Sequence, residues 1–262
     1  MVLTGSRFLV SAVLLALGAC APGTKATDPA VHSPTAPSDP SPTPTIQDVT
    51  ELELGDFPPL EPGTYFIDPD ADPSTPLRVV YEVPVEGWTS WIGAAKFAEE
   101  GWVAVSITSV TNLVRHGCRD HSPTDPPVGP SVDDLATALA DLAPFRVTLP
   151  PKDVTIYGYS GKHLELTVPD MPFEFRRNGT LFAECTGYDW HRRYLMSWIA
   201  PHLVAHGGYA FYGYTAPGAT EELWILDVEG TRLVISAVRS PGSPRKDLAE
   251  LRAILGSIRL EP

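Results

Sequence analysis

The sequence predicts an α+β fold, in which two or three helices pack against a single antiparallel sheet built from hairpins. Several short segments of alternating apolar and polar residues are separated by turn sequences, as in hairpins. Two further segments carry apolar residues at helical spacing, and the order of elements does not follow repeating strand–helix–strand units. The 262 residues are 43% hydrophobic and include 28 prolines and 21 glycines, which suits one core with many turns and a linker.

Three strands are predicted before the first helix. Residues 77–83 are apolar and rich in β-branched side chains, and they are predicted as a strand. Residues 91–97 and 102–110 are predicted as a strand pair around Glu99-Glu100-Gly101, because side chains along the second segment alternate in type. A short helix over residues 90–99 is the alternative.

The best helical pattern runs from Ser131 to Leu142. Ser131 can cap the first turn, Asp134 follows three residues later, and the leucines that follow share one face. A hairpin is predicted next, with strands at residues 154–157 and 163–168 and a turn at Tyr159-Ser160-Gly161-Lys162.

The C-terminal part is predicted as a second hairpin and a helix. The hairpin has strands at residues 223–228 and 231–238, joined by a turn at Glu229-Gly230. Ser243-Pro244 then opens a helix, which Gly256 is expected to end, and residues 258–260 return as a short edge strand.

The domain organisation follows from composition. Residues 1–19 have the charged start and apolar centre of a signal peptide, and the apolar run is too short to span a bilayer. Residues 20–45 are rich in Pro, Thr and Ser and are predicted as a disordered tether with a reach of about 75 Å. Residues 46–262 are predicted as one globular domain.

The sequence Leu17-Gly18-Ala19-Cys20 resembles the lipobox of bacterial lipoproteins. The resemblance implies that the signal is cut before Cys20 and that the sulfur of Cys20 carries a diacylglycerol. Two such acyl chains hold a protein stably on a membrane. The alternative is an ordinary signal peptide with an incidental cysteine.

The body has two weaker resemblances. Segments at residues 132–135, 154–169 and 223–235 resemble uncharacterised actinobacterial-type secreted proteins, a family with no settled activity. The order of helix, two hairpins and helix also resembles the PsbP-like α/β/α fold of some mycobacterial-type lipoproteins, which implies that arrangement for this domain.

The charge of the chain restricts its partners. The net charge is −13, which is unfavourable for binding a phosphate backbone, so no nucleic-acid partner is expected. The expected partners are the membrane, through the lipid, and an unidentified envelope protein or small ligand. The chain is expected to be a monomer.

The two cysteines of the body, Cys118 and Cys185, are predicted to form a disulfide. An even pair in an oxidising compartment most often pairs. Two buried free thiols, or a metal or redox role, are the alternatives, although no Cys-x-x-Cys motif is present.

Three motifs approach a chemical function without completing it. Gly158-Tyr159-Ser160-Gly161-Lys162 lacks the last glycine of a nucleophile elbow, and His163 follows too closely in an extended chain to act reliably as a base. His202 and His206 have helical i, i+4 spacing, with His191 a conceivable third zinc ligand, but no glutamate follows the first histidine. Asp68, Asp70 and Asp72 resemble a calcium loop that lacks the required glycine and glutamate, so a solvated acidic loop is favoured.

One dense cluster of polar and aromatic residues is the candidate ligand-binding patch: Tyr188, Asp189, Trp190, His191 and Arg192. Trp faces bind sugar rings or cations, and Arg binds carboxylate or phosphate. The alternative is a hairpin with one aromatic face in the core.

Taken together, these residues predict a membrane-anchored extracytoplasmic lipoprotein with a non-catalytic ligand- or protein-binding domain. We assign no catalytic residue, metal ligand or cofactor. An extracytoplasmic hydrolase that uses Ser160 or a His-based metal site is one alternative, and a structural envelope component is the other.

Overall fold

The computed structural model describes residues 46–50, 57–70, 72, 74–99, 101–176, 179–185, 195–200 and 216–261. It is mostly β, with 49% of the structure in strands and 12% in helices. The helices formed by the described residues are α1 (Val132–Ala140) and α2 (Arg245–Ser257). The strands formed by the described residues are β1 (Gln47–Asp48), β2 (Pro59–Leu60), β3 (Gly63–Ile67), β4 (Arg78–Val83), β5 (Trp88–Trp91), β6 (Gly93–Phe97), β7 (Trp102–Ser109), β8 (Asn112–His116), β9 (Asp120–Pro123), β10 (Arg146–Ile156), β11 (Tyr159–Thr167), β12 (Phe173–Arg176), β13 (Gly179–Phe182), β14 (Trp198–Ile199), β15 (Thr220–Val228), β16 (Thr231–Arg239) and β17 (Arg259–Glu261).

These strands form sheets of different sizes. The largest sheet has eight antiparallel strands in the order β10-β11-β15-β16-β7-β6-β5-β2. A second sheet has the order β1-β3-β4-β17 and contains one parallel pair, β1 with β3. Two smaller sheets, β14-β8-β9 and β12-β13, complete the described part of the chain.

The predicted fold class is therefore wrong. The prediction was an α+β domain with a single antiparallel sheet and two or three packed helices, or a PsbP-like α/β/α arrangement. The structure is instead mostly β, with large antiparallel sheets and two helices in the residues it describes. We therefore discard the fold expectation drawn from that resemblance.

The error has a physical cause in strands that do not show a regular alternation. Strands β5, β9 and β14 have only four, four and two residues, which is too short for a pattern to be recognised.

Several local predictions are confirmed. Helix α1 starts after Ser131, whose hydroxyl accepts a hydrogen bond from the backbone N–H of Asp134, and the Asp134 carboxylate accepts one from the backbone N–H of Ser131. The β15–β16 hairpin turns at Glu229-Gly230, where both residues have positive φ, as a tight two-residue turn requires. Helix α2 begins after Pro244, and β17 pairs with β4 at the edge of its sheet.

The β10–β11 hairpin turns two residues earlier than predicted. Its turn is Tyr157-Gly158, where both residues have positive φ, and the strands on either side are 11 and 9 residues long. Gly161 was expected in the turn but lies within β11, opposite Leu226 of β15. A Cβ atom at this position would come within 2.0 Å of the Ile225 carbonyl oxygen, so this glycine permits close packing of two strands.

Strand β10 is the outermost strand at one end of the eight-stranded sheet. Its pairing with β11 shifts in register between Leu149 and Lys152, where Pro150 and Pro151 lie. Because proline has no backbone N–H, these two positions cannot donate a hydrogen bond to a further strand.

Helix α2 is fixed to the sheet by a cluster of buried charges. Lys96 of β6 lies 2.5 Å from Glu250 and 3.1 Å from Asp247, and all three side chains are mostly buried. The Trp88 indole also donates a hydrogen bond to Glu250. Although burial opposes ionisation, the hydrogen bond and positive charge of Lys96 keep the pKa of Glu250 below its ordinary value.

The predicted disulfide is present. Cys118, in the turn between β8 and β9, is bonded to Cys185, which follows β13, and both residues are almost fully buried. The bond closes a loop with a sequence separation of 67 residues. In the chain-entropy model, a loop of this length contributes about 4 kcal/mol to stability.

No helix among the residues described above is long and apolar enough to cross a membrane.

Reduction of the disulfide is expected to lower the melting temperature by several degrees, because the unfolded chain gains the freedom of the opened loop. The measurement is thermal unfolding of a Cys20→Ser chain with and without a phosphine reductant. The Cys118→Ser/Cys185→Ser chain is the control, because reductant has no bond to break there. An unchanged melting temperature on reduction would show that the bond does not stabilise the fold.

Candidate functional site

The candidate residues taken from the sequence fall into two groups. Cys118 and Cys185 are joined, as predicted. The lipid-attachment residue Cys20 lies outside the described residues. The ligand-binding patch Tyr188, Asp189, Trp190, His191 and Arg192 and the histidines His202 and His206 lie outside them as well.

The disulfide fixes the position of the chain three residues before this predicted patch. The Gly117 carbonyl, next to Cys118, accepts a hydrogen bond from the Met196 N–H, and the Gly117 N–H donates to the Ala143 carbonyl. A side chain at Gly117 would collide with the ring of Phe145 at 2.6 Å. The turn that carries Cys118 thus contacts two other chain segments, and Cys185 is bonded to it.

His116 holds the same turn through its ring. Its Nδ1 accepts hydrogen bonds from the backbone N–H groups of Cys118 and Arg119, both at 3.1 Å. A proton on Nδ1 would remove this acceptor. Burial, followed by the charge of Arg119, lowers the pKa of His116 from its ordinary value of 6.5.

A polar cleft of about 370 Å³ lies between the start of α1 and the ends of two hairpins. We call it the α1 cleft. It is lined by Pro130, Ser131, Val132, Asp133, Asp153, Ser160, Gly161, Lys162, Asp227, Gly230 and Arg232. Its volume falls within the range of small-molecule sites.

Lys162 is the central cation of the α1 cleft. Its ammonium group lies 2.8 Å from the carboxylate of Asp133 on α1 and 2.6 Å from that of Asp153 on β10. The hydrogen bonds that Lys162 donates to these carboxylates raise its pKa, so it remains charged at neutral pH. The two carboxylates offset the charge of Lys162, so the ammonium group can donate a hydrogen bond to a ligand without adding net positive charge to the cleft.

Ser160 lines the α1 cleft, but it does not lie at a hairpin tip as predicted. It is a strand residue of β11, paired with Thr155. Successive side chains of a strand point to opposite faces, so Ser160 and Lys162 share the face toward α1 and His163 points away. His163 instead bonds Glu222 at 2.8 Å and stacks on Trp224, so it does not serve Ser160 as a base.

The aspartate motif at residues 68–72 forms successive turns. Each carboxylate accepts a hydrogen bond from the backbone N–H two residues later. The Asp68 carboxylate accepts from the Asp70 N–H, that of Asp70 from the Asp72 N–H, and that of Asp72 from the Ser74 N–H. The described residues contain no group of three His, Cys, Asp or Glu side chains that could hold a metal ion.

Arg232 of β16 forms one wall of the α1 cleft. Its guanidinium donates hydrogen bonds to four backbone carbonyls, those of Val110, Thr111, Gly129 and Ser131. Desolvation lowers the pKa of Arg232 from its ordinary value, and the guanidinium stays charged at neutral pH because that ordinary value is so high. One side chain thereby ties the segment between β7 and β8 and the segment before α1 to the large sheet.

The α1 cleft presents hydrogen-bonding groups that are already held in place. Asp133, Asp153 and Asp227 provide three carboxylates against the two cations Lys162 and Arg232. Such a lining suits a polar ligand with several hydroxyl or amino groups, which carboxylates and ammonium groups can bind in a fixed orientation.

Most of this cleft was not recognised from the sequence. Ser160 and Lys162 were examined as parts of motifs, but no sequence pattern marked Asp133, Asp153 or Arg232 as site residues. They come together only because α1 lies beside the β10–β11 hairpin and because β16 pairs between β15 and β7.

Comparison of this chain with protein-family models, with curated proteins and with solved structures found no match.

His116→Asn is expected to remove part of the acid sensitivity of the fold. The folded turn lowers the pKa of His116, so the unfolded chain binds the proton more readily and stability is lost as pH falls below about 6.5. The Asn side-chain oxygen can accept the same backbone N–H groups but does not titrate. Urea unfolding at pH 7.5 and 5.5 measures the effect.

At pH 7.5 the His116→Asn chain should match the original within about 0.5 kcal/mol. At pH 5.5 it should have lost less stability than the original. Equal losses in the two chains would contradict the role given to His116.

Arg232→Lys is expected to destabilise the fold by at least about 2 kcal/mol, because an ammonium group cannot reach four carbonyls at once. The matched control is Arg239→Lys on the same strand. Arg239 is exposed and pairs with Glu165, so its replacement should cost less than about 1 kcal/mol. Similar losses in urea unfolding for the two variants would contradict the structural role of Arg232.

Proposed function

We propose that this chain is a membrane-anchored extracytoplasmic lipoprotein whose folded domain is a non-catalytic ligand- or protein-binding module of the cell envelope. The α1 cleft is the observation that carries the binding role. Its cations are engaged, Lys162 by two carboxylates and Arg232 by four carbonyls, so the cleft offers an ordered set of polar contacts.

The location is supported by two features of the chain. The sequence ending in Cys20 resembles a lipobox and follows an apolar stretch, as in bacterial lipoproteins. The folded domain contains the Cys118–Cys185 disulfide, and such bonds persist in oxidising compartments outside the cytoplasm.

The patch at Tyr188–Arg192 supports a second contact with a partner. Cys185 lies three residues before the patch, and its bond to Cys118 holds that end of the segment on the domain. We propose that an envelope protein or a small ligand is held there, while a tether at residues 20–45 gives the domain its reach.

Cys20→Ser is expected to move the protein from the membrane fraction into the medium, because without acyl chains no anchor remains. The measurement is immunoblotting of membrane and medium fractions. Thr27→Ser, a change within the predicted tether, is the matched control and should leave the protein on the membrane.

Persistence of the Cys20→Ser chain in the membrane fraction would contradict the lipid anchor. Covalent labelling of the original chain by a fluorophosphonate, lost in Ser160→Ala, would contradict the non-catalytic role and favour an extracytoplasmic hydrolase.

A further inference from the structure

A second cleft, of about 450 Å³, adjoins the α1 cleft and shares Pro130 and Arg232 with it. We call it the Ser109 cleft. Its lining residues are Asp70, Ser109, Val110, Thr111, Val128, Pro130, Thr231 and Arg232. The polar α1 cleft and this one therefore lie on a continuous piece of the surface with Arg232 between them.

The Ser109 cleft differs from the α1 cleft in chemistry. Val110, Val128 and Pro130 give it apolar walls, whereas Asp70 contributes a carboxylate. Clefts of this size with apolar walls and few polar groups are typical of small-molecule sites, where the polar groups fix the orientation of the ligand.

The hydroxyl of Ser109 is the feature that points to a ligand. Ser109 is only 7% exposed, and its Oγ is buried without a hydrogen-bond partner among the described residues. A buried hydroxyl that makes no hydrogen bond destabilises the fold, and native structures leave few of them. A ligand that donates to or accepts from this oxygen would remove that cost.

Asp70 supplies the charge that selects the ligand. Its Oδ1 atom accepts hydrogen bonds from the Asp72 N–H and the Thr75 hydroxyl, which hold the carboxylate in place. The neighbouring cation, Arg232, directs its hydrogen bonds to backbone carbonyls. Arg232, the one cation in the lining of the cleft, therefore forms its hydrogen bonds with backbone carbonyls and not with the Asp70 carboxylate.

We propose that the Ser109 cleft binds a small organic cation, with an apolar body between Val110, Val128 and Pro130 and a primary ammonium group toward Asp70 and Ser109. The ammonium group provides three donors, enough to serve both the carboxylate and the hydroxyl. The chain's net charge of −13 raises the concentration of such cations near its surface.

The test compares three probes of one shape and different charge: tryptamine, indole-3-ethanol and indole-3-acetate. Calorimetric titration of the full chain at pH 7 is expected to show that tryptamine binds at least about tenfold more tightly than indole-3-ethanol. Indole-3-acetate should show no binding over the same millimolar range. Equal binding of all three probes, or of none, would overturn the proposal.

Two variants locate the site, and a third is the control. Asp70→Asn keeps an oxygen for the Asp72 and Thr75 hydrogen bonds but removes the charge, so the preference for tryptamine over indole-3-ethanol should disappear. Ser109→Ala should weaken tryptamine binding severalfold without lowering the melting temperature, because it removes a buried hydroxyl that has no partner. Asp153→Asn, in the α1 cleft, should leave tryptamine binding unchanged.

A Ser109→Ala chain that melts at a lower temperature and binds tryptamine as before would assign the hydroxyl a structural role and overturn the proposal. If Asp153→Asn abolishes the preference for tryptamine and Asp70→Asn does not, the cation binds in the α1 cleft, and the proposal is overturned as well. Tryptamine binding in the Ser109 cleft does not depend on the lipid anchor. This binding can therefore be absent while the proposed function holds, and it can be present while the proposed function fails.

Discussion

The arrangement of both clefts depends on the hydrogen bonds of a single guanidinium. Arg232 lies on a central strand of the large sheet and donates to carbonyls on two segments that belong to no shared sheet with it. Its planar guanidinium carries five N–H donors, against three on an ammonium group, so one side chain can serve all four carbonyls. Residues 110–111 and 129–131 are thereby placed on either side of it, and a cleft lies along each.

The two clefts illustrate opposite solutions for polar groups. In the α1 cleft, Lys162 has two carboxylate partners, and the capping residues Ser131 and Asp134 form hydrogen bonds with each other. In the Ser109 cleft, one buried hydroxyl has no described partner. A site whose polar groups all have hydrogen-bond partners adds to stability. A buried polar group without a partner lowers stability but leaves an atom that can form a hydrogen bond with a ligand.

The sequence predicts those parts of the fold that depend on neighbouring residues. Ser131 with Asp134 marks the start of α1, and Glu229-Gly230 marks a tight turn, because caps and turns are local chemistry. The β10–β11 turn was misplaced because Gly161 looks like a turn residue, although its role is to admit the Ile225 carbonyl of a strand 64 positions away in the chain. Sheet order and the meeting of Arg232 with Gly129 are likewise long-range, and no pattern within one segment encodes them.

The interrupted edge of strand β10 matters for proteins that are held side by side on one membrane surface. Molecules confined to two dimensions meet often, and an open strand edge would let neighbouring sheets join into a continuous ribbon. Pro150 and Pro151 interrupt the edge where β10 would pair with a second copy, and the register of its pairing with β11 shifts beside them. If the proposed lipid anchor holds these domains on one membrane, the interrupted edge of β10 opposes their joining through this strand.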